Sequence, residues 1–263
     1  MSTRAAAPLP ALWEDLTFLS PLSEQRADAQ AAWLAEGLGP GTVLDVGCGW
    51  GELLLRVLER APSARAVGVD VEPLRVQEAG RRAAARGLGG RARFVTGDAS
   101  GEVRDRLPPV VDALVVSGSS QVWGPPVEEG RPLDYGAALA AVRAHVRRGA
   151  RVLYADAIWS RPPTPAAVAP LSGRDDEFVT LHELVELAVG HGFAVVAFGE
   201  SSLEEWDAFE SGFGAGVARW LDRHGAAHPE AGAVAARAAD QRAAYLQGYR
   251  GVLGYAHLQL LAV

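Results

Sequence analysis

Lysine and asparagine are both absent from the 263 residues, so all 25 basic side chains are arginines. Lysine-dependent chemistry is thereby excluded. A Schiff-base lysine, a pyridoxal phosphate attachment point and the lysine of a phosphate loop each need a residue the chain does not own. Cysteine occurs once, at Cys48, so no internal disulfide can form. No apolar run approaches the length of a membrane span, and no basic flank leads into an apolar stretch near the start; the expectation is a cytoplasmic protein without a membrane partner. Basic residues do not cluster either, and the net charge is −7. The electrostatic footprint of a phosphate-backbone binder is missing, so no nucleic-acid partner is expected. The arginine and alanine bias is put down to genome composition.

What the chain does have is apolar material, 49% of its residues, enough for one main domain with one sizeable core. The stretch Val43-Leu44-Asp45-Val46-Gly47-Cys48-Gly49-Trp50-Gly51-Glu52 carries most of the information. It predicts a buried strand running into a glycine turn that opens a helix, with Leu53, Leu54, Leu55, Val57 and Leu58 on a helical period behind it. Such a turn lets a ligand approach bare backbone. A dinucleotide fingerprint would place its third glycine at position 52, which is Glu. An acidic residue just inside the helix repels phosphate and suits a cationic ligand better.

Hydrophobic-Asp-hydrophobic-Gly-x-Gly-x-Gly resembles motif I of the class I S-adenosylmethionine (SAM)-dependent methyltransferases. Further landmarks follow in that family's order. Ala66-Val67-Gly68-Val69-Asp70 is similar to its second strand, Arg93 through Gly97-Asp98-Ala99 to its third, and Val110 to Ser117 to its fourth. The resemblance implies an α/β, Rossmann-like seven-stranded sheet that binds SAM. It assigns Asp70 to the ribose hydroxyls and the Asp98-Ala99 stretch to the adenine edge. It gathers Asp45, Gly47, Cys48, Gly49, Gly51, Val71 and Ser117 around the rest of the cofactor. Small size accounts for a cysteine inside the turn. Within the family, the missing asparagine removes the Asn-Pro-Pro-Tyr type motif of amino-methylating nucleic-acid enzymes and the Asp-Asn metal ligands of catechol-type enzymes. The lone cysteine leaves no extra nucleophile for cytosine-5 methylation.

The expected organisation is an N-terminal helical lid over 1–41, a SAM-binding core over 42–199, a helical cap over 200–254 and a final core strand over 255–263. In the lid, Trp13 to Leu19 is amphipathic and Ser23 caps a helix reaching Leu38. Core helices are predicted at about 51–61, 72–86, 134–147 and 178–190, with a fifth strand at Arg151 to Ala155, a sixth at Ala194 to Phe198 and a proline-rich surface loop at 161–170. The cap is the unusual part: two helices stand where the fold normally has a tight hairpin before its last strand, which is predicted to be antiparallel. The Pro21-Leu22-Ser23-Glu24 run, Trp159 ahead of Arg161-Pro162-Pro163, and Glu204-Glu205-Trp206-Asp207 are similar to a bacterial small-molecule methyltransferase subgroup.

Ligands of an open α/β sheet lie beyond the carboxyl ends of the strands, so residues after the fourth and fifth strands matter most. Gln121, Trp123 and Trp159 are candidates for shaping an acceptor pocket, with packing as the alternative for both indoles. Phe209, Tyr245 and Tyr249 on the cap are candidates for closing it, and a core role is the alternative for the tyrosines. Asp156 is the best-placed general base, or else a strand-end cap. His224 and His228 lack a third ligand, so no metal is expected. Glu128 and Glu129 are assigned to a solvated turn, and the pairs Arg81-Arg82 and Arg147-Arg148 to helix surfaces. The function implied is methyl transfer to a small-molecule acceptor. Aminopropyl transfer or a lyase reaction on the same fold, a non-catalytic SAM-binding protein, and a nicotinamide oxidoreductase are the alternatives. The acceptor atom and the oligomeric state stay open.

Overall fold

The computed structural model describes residues 16–124 and 131–263. Trp13 to Asp15, and Glu128 with Glu129, lie outside the described residues. Seven strands form one sheet: β1 (Thr42–Val46), β2 (Arg65–Asp70), β3 (Ala92–Thr96), β4 (Val111–Ser117), β5 (Val146–Trp159), β6 (Phe193–Glu200) and β7 (Leu253–Ala262). Their order is β3-β2-β1-β4-β5-β7-β6. The first five strands pair in parallel, and β7 inserts antiparallel between β5 and β6. Strand order reverses between β1 and β4, which opens the crevice where ligands of such sheets bind.

Alternate residues of each inner strand feed different layers, as a pleat requires. Leu44, Val46, Leu114 and Val116 pack toward α4 (Tyr135–His145) and α6 (Leu181–Gly190). Val43, Ala113 and Val115 face α1 (Glu24–Ala35) and α2 (Glu52–Arg60), with α3 (Pro73–Ala85) alongside. Both faces of the sheet are therefore covered, and the strands read as continuous apolar runs. Between β6 and β7 the chain builds α7 (Leu203–His224), α8 (Ala231–Ala243) and a π-helical turn (Ala244–Tyr249), the expected cap.

Four expectations need correction. Helix α1 ends at Ala35, three residues before Leu38. Strand β5 begins at Val146, earlier than the apolar run suggests, so Arg147 and Arg148 lie on a strand. Arg147 is held there by Asp112 at 2.6 Å. The 161–170 stretch is no plain loop: Thr164 caps a short helix α5 (Pro165–Val168), and its Ala167 is fully buried. Arg82 does more than sit on a helix surface, because it reaches Glu78 on its own helix and Glu52 on α2.

Candidate active site

Gly47, Gly49 and Gly51 all adopt left-handed backbone, with φ of 76°, 53° and 72°. Only glycine takes this conformation without strain. The amides of Gly47 and Cys48 both donate to the Val69 carbonyl, which pins the turn to the end of β2. Each glycine is tight for a different reason. A Cβ on Gly47 would strike the side chain of Ser119, one on Gly49 would strike Leu19, and one on Gly51 would strike Phe94. The turn is thus wedged between the loop after β4 and the segment preceding α1, and Gly51 serves helix packing.

Asp70 closes the turn from the neighbouring strand. One carboxylate oxygen accepts from the Gly49 amide at 2.8 Å and the other from the Glu72 amide at 2.9 Å, with the Arg75 guanidinium 3.9 Å away. A cavity of about 360 Å³ opens above it, beyond the ends of the parallel strands. Gly47, Asp70, Val71, Ala99 and Ser117 form one end of its lining. A recess of about 70 Å³ runs beneath the turn past Asp45, Cys48 and Gly49. Burial first, and the Asp70 charge second, push the Asp45 carboxyl up to about 8. Burial, with Asp45 and Asp70 beside it, also pushes the Cys48 thiol up, which keeps it neutral and unreactive. A buried carboxyl beside a second carboxylate is a site that a cation relieves.

The far end of the cavity is built by Gln121, Val122, Asp156, Trp206, Phe209 and Tyr255. The Tyr255 and Ser117 hydroxyls are hydrogen-bonded at 2.8 Å. Asp156 is buried, and desolvation raises its carboxyl against the opposing hydrogen bonds from Ser120. Three donors reach it: the Ser120 amide at 3.0 Å, the Ser120 hydroxyl at 2.5 Å and the Ala157 amide at 2.8 Å. Tyr154, fully buried, lies 2.5 Å from the same Ser120 hydroxyl. A larger open groove of about 660 Å³ beside Phe209, between α1 and α7, contains neither the glycine turn nor Asp70.

A family model described as a methyltransferase domain matches residues 43–129. A SAM-dependent methyltransferase from Thiobacillus denitrificans, solved in complex with S-adenosyl-L-homocysteine, has a TM-score of 0.78 over 96% of each chain, at 24% identity. The chain has the class I SAM-dependent methyltransferase fold. The protein YjhP of Escherichia coli K12 is 27% identical over 186 residues, 70% of each chain. The methyltransferase ungE' of Aspergillus campestris is 48% identical over 58 residues, a match that spans 22% of this chain and 17% of that protein.

In this methyltransferase fold, the residues expected around the cofactor gather at the cavity and its recess with two exceptions. Gly51 faces α3 and β3, and Asp98 is exposed, its carboxylate capping the Ser100 amide. Of the acceptor candidates, Gln121 and Phe209 line the cavity. Trp123 packs against the main core, and Trp159 meets Phe178 edge-on while its indole nitrogen donates to the Asp175 backbone carbonyl. Tyr245 and Tyr249 turn away from the cavity lining: their hydroxyls donate to Asp207 and Glu210 of α7, both at 2.7 Å. Glu52 is buried among Arg56, Arg82 and Arg86; burial would raise its carboxyl, but the hydrogen bonds from Arg86 and Arg56 outweigh it and hold the carboxyl below the usual range. Its charge is paired with three arginines, and it lines the recess together with Asp45. Among the described residues no group of three metal-ligating side chains occurs; His224 stacks on Trp220 and His228 meets it edge-on.

Sequence reasoning missed Tyr255 and Arg75, and it takes Trp206 only as part of the cap's first helix, without a place in the pocket. Tyr255 is the third residue of β7 and sits opposite Ala157 in register, which places it at the carboxyl end of β5. Antiparallel insertion of the last strand was the available signal.

Proposed function

We propose that the protein transfers the methyl group of SAM to a small-molecule acceptor enclosed beneath the helical cap. The observation that carries this reading is a cavity joining two different environments, with a small recess beside it. At one end of the cavity stand Gly47 of the glycine turn and Asp70, with Asp45 in the recess beneath the turn; at the other end stand Trp206, Phe209 and the Ser117–Tyr255 hydroxyl pair. The residues fit the cofactor. Left-handed Gly47 and Gly49 leave backbone exposed to its amino-acid portion, and Asp70, fixed by two amides, presents its remaining lone pairs to a diol. Asp45 suits an ammonium or sulfonium charge.

SAM supplies an electrophilic methyl on a sulfonium, and its transfer to a nucleophile dissipates positive charge. Alignment and exclusion of water therefore contribute more than covalent help from the protein. Trp206 and Phe209 exclude water at the acceptor end. Asp156, with three donors on its two oxygens, holds the turn after β4 in place, and that turn carries Gln121 and, through Ser119, braces Gly47. We therefore assign Asp156 to positioning. Incubation with SAM and a panel of small acceptors tests the reaction. S-adenosylhomocysteine (SAH) formed in step with a methylated acceptor supports methyl transfer. Methylthioadenosine, or SAM bound without turnover across the panel, would replace it with another use of the fold.

No helix among the described residues is long and apolar enough to cross a membrane.

A further inference from the structure

The indole of Trp206 is 7% exposed, lines the cavity, and has its nitrogen buried without a hydrogen-bond partner among the described residues. Buried donors are nearly always satisfied in native proteins, because an unmade hydrogen bond leaves the desolvation cost uncompensated. The ring cannot turn away to find a partner. Tyr245 stacks on it at a centroid distance of 6.5 Å, and Phe209 and Tyr249 meet it edge-on, each at 6.2 Å. The hydroxyls of those two tyrosines are already committed to Asp207 and Glu210. The ring that carries this unpartnered N–H lines the cavity, so a ligand seated against that ring is the group placed to supply the missing acceptor.

The charges around the cavity narrow the ligand further. Its one described cationic lining residue is Arg75, which stands beside Asp70 at the cofactor end. At the acceptor end the ionisable groups are Asp156 and Tyr255, and the remaining walls are aromatic, apolar or hydroxyl-bearing. A phosphate or carboxylate brought there would be desolvated without a counter-charge.

Resting on the methyl-transfer reading, we propose that the acceptor is an uncharged ring compound with a carbonyl-type oxygen, seated against Trp206 and Phe209 with that oxygen accepting from the Trp206 indole N–H. Trp206 is then a specificity determinant, and the Ser117–Tyr255 hydroxyl pair is the next polar group the acceptor meets.

The test uses full-length protein saturated with SAH and three probes of similar shape: acetophenone, its hydrocarbon counterpart α-methylstyrene, and benzoate. Calorimetry on the parent should rank acetophenone first and give no measurable benzoate binding. Trp206→Phe keeps an aromatic ring and removes the N–H; it should weaken acetophenone about tenfold while leaving SAH and α-methylstyrene affinities unchanged. Should that variant fail to fold, the parent's indole N–H resonances answer the same question. Acetophenone should move one of them downfield, and α-methylstyrene should not. Equal binding of ketone and hydrocarbon, preference for benzoate, absence of binding by all three probes, or a loss confined to SAH would overturn the proposal. Failure of the parent to bind SAH at all would instead overturn the cofactor reading beneath it.

Discussion

Burial beside the Asp70 charge keeps a proton on Asp45 up to about pH 8, so the ligand-free turn holds a neutral carboxyl at physiological pH. A cationic ligand prefers the ionised form, and binding SAM should release that proton. Affinity for SAM is expected to rise between pH 6 and pH 8 by at most about tenfold per pH unit, then level off. Calorimetry in buffers of different ionisation enthalpy would register the released proton, and Asp45→Asn should abolish both effects. A flat profile in the parent would contradict this role. The stability consequence has the opposite sign. The folded carboxyl is raised above its unfolded value near 3.8, so its contribution is fully present below that value and is lost as pH rises toward 8. Asp45→Asn should therefore gain thermal stability at pH 8 while losing affinity for SAM.

Among the elements, the joint between α1 and α7 depends on one side chain. The Glu205 carboxylate accepts from the backbone and hydroxyl of Ser23, the N-cap of α1, and from the amide of Ser202, the N-cap of α7. It also takes two hydrogen bonds from Arg26. Burial alone would raise its carboxyl, but Arg26 and Ser23 outweigh burial and hold it well below the usual range. Its contribution is present above the unfolded value near 4.5 and is lost as pH falls below it. Glu205→Ala removes a capping interaction from two helices and one half of an ion pair, and should cost about 2–3 kcal/mol in urea unfolding at pH 7. Tyr249 belongs to the same cap. Its hydroxyl bridges Glu210 and Gln241 outside the cavity lining, so Tyr249→Phe should cost about 1 kcal/mol of stability and leave turnover unchanged. A fall in turnover with stability intact would return that hydroxyl to the acceptor pocket.

For the molecule as a whole, acid sensitivity traces to His257, at the centre of β7. Its ring accepts from Gln30 of α1 and, as the tautomer this network assigns, donates to Ser201, whose hydroxyl donates to the Pro21 carbonyl. Burial first and the Arg26 charge second push the imidazole down to about 3. A folded value below the unfolded one near 6.5 means that stability is complete above 6.5 and is lost as pH falls toward 3. Unfolding free energy should drop by about 2 kcal/mol between pH 7 and pH 5 through this group alone. His257→Gln should flatten that part of the profile; an unchanged slope would place the sensitivity elsewhere.

The sheet was legible because buried parallel strands are written as short apolar runs, each ending in a glycine or a carboxylate that local spacing reveals. Asp70 and Gly47 could be placed for that reason. Tyr255 could not, since it reaches the cavity from the last strand, far along the chain from the turn it faces, whereas Phe209 could be placed from the cap helix it shares with Trp206. Tyr245 and Tyr249 show the converse. A stripe at helical spacing marks a face, but the contacts with Trp206, Asp207 and Glu210 that turn that face into packing are tertiary.

Calorimetric titration of SAH into the parent and into folded Asp70→Ala tests whether the glycine turn and Asp70 form the seat of a SAM-type cofactor, as we propose. The parent should show one site per chain, and the variant an affinity at least about tenfold weaker, because charge-assisted hydrogen bonds to a diol are gone. An unchanged dissociation constant in Asp70→Ala, or no binding to the parent, would contradict that proposal.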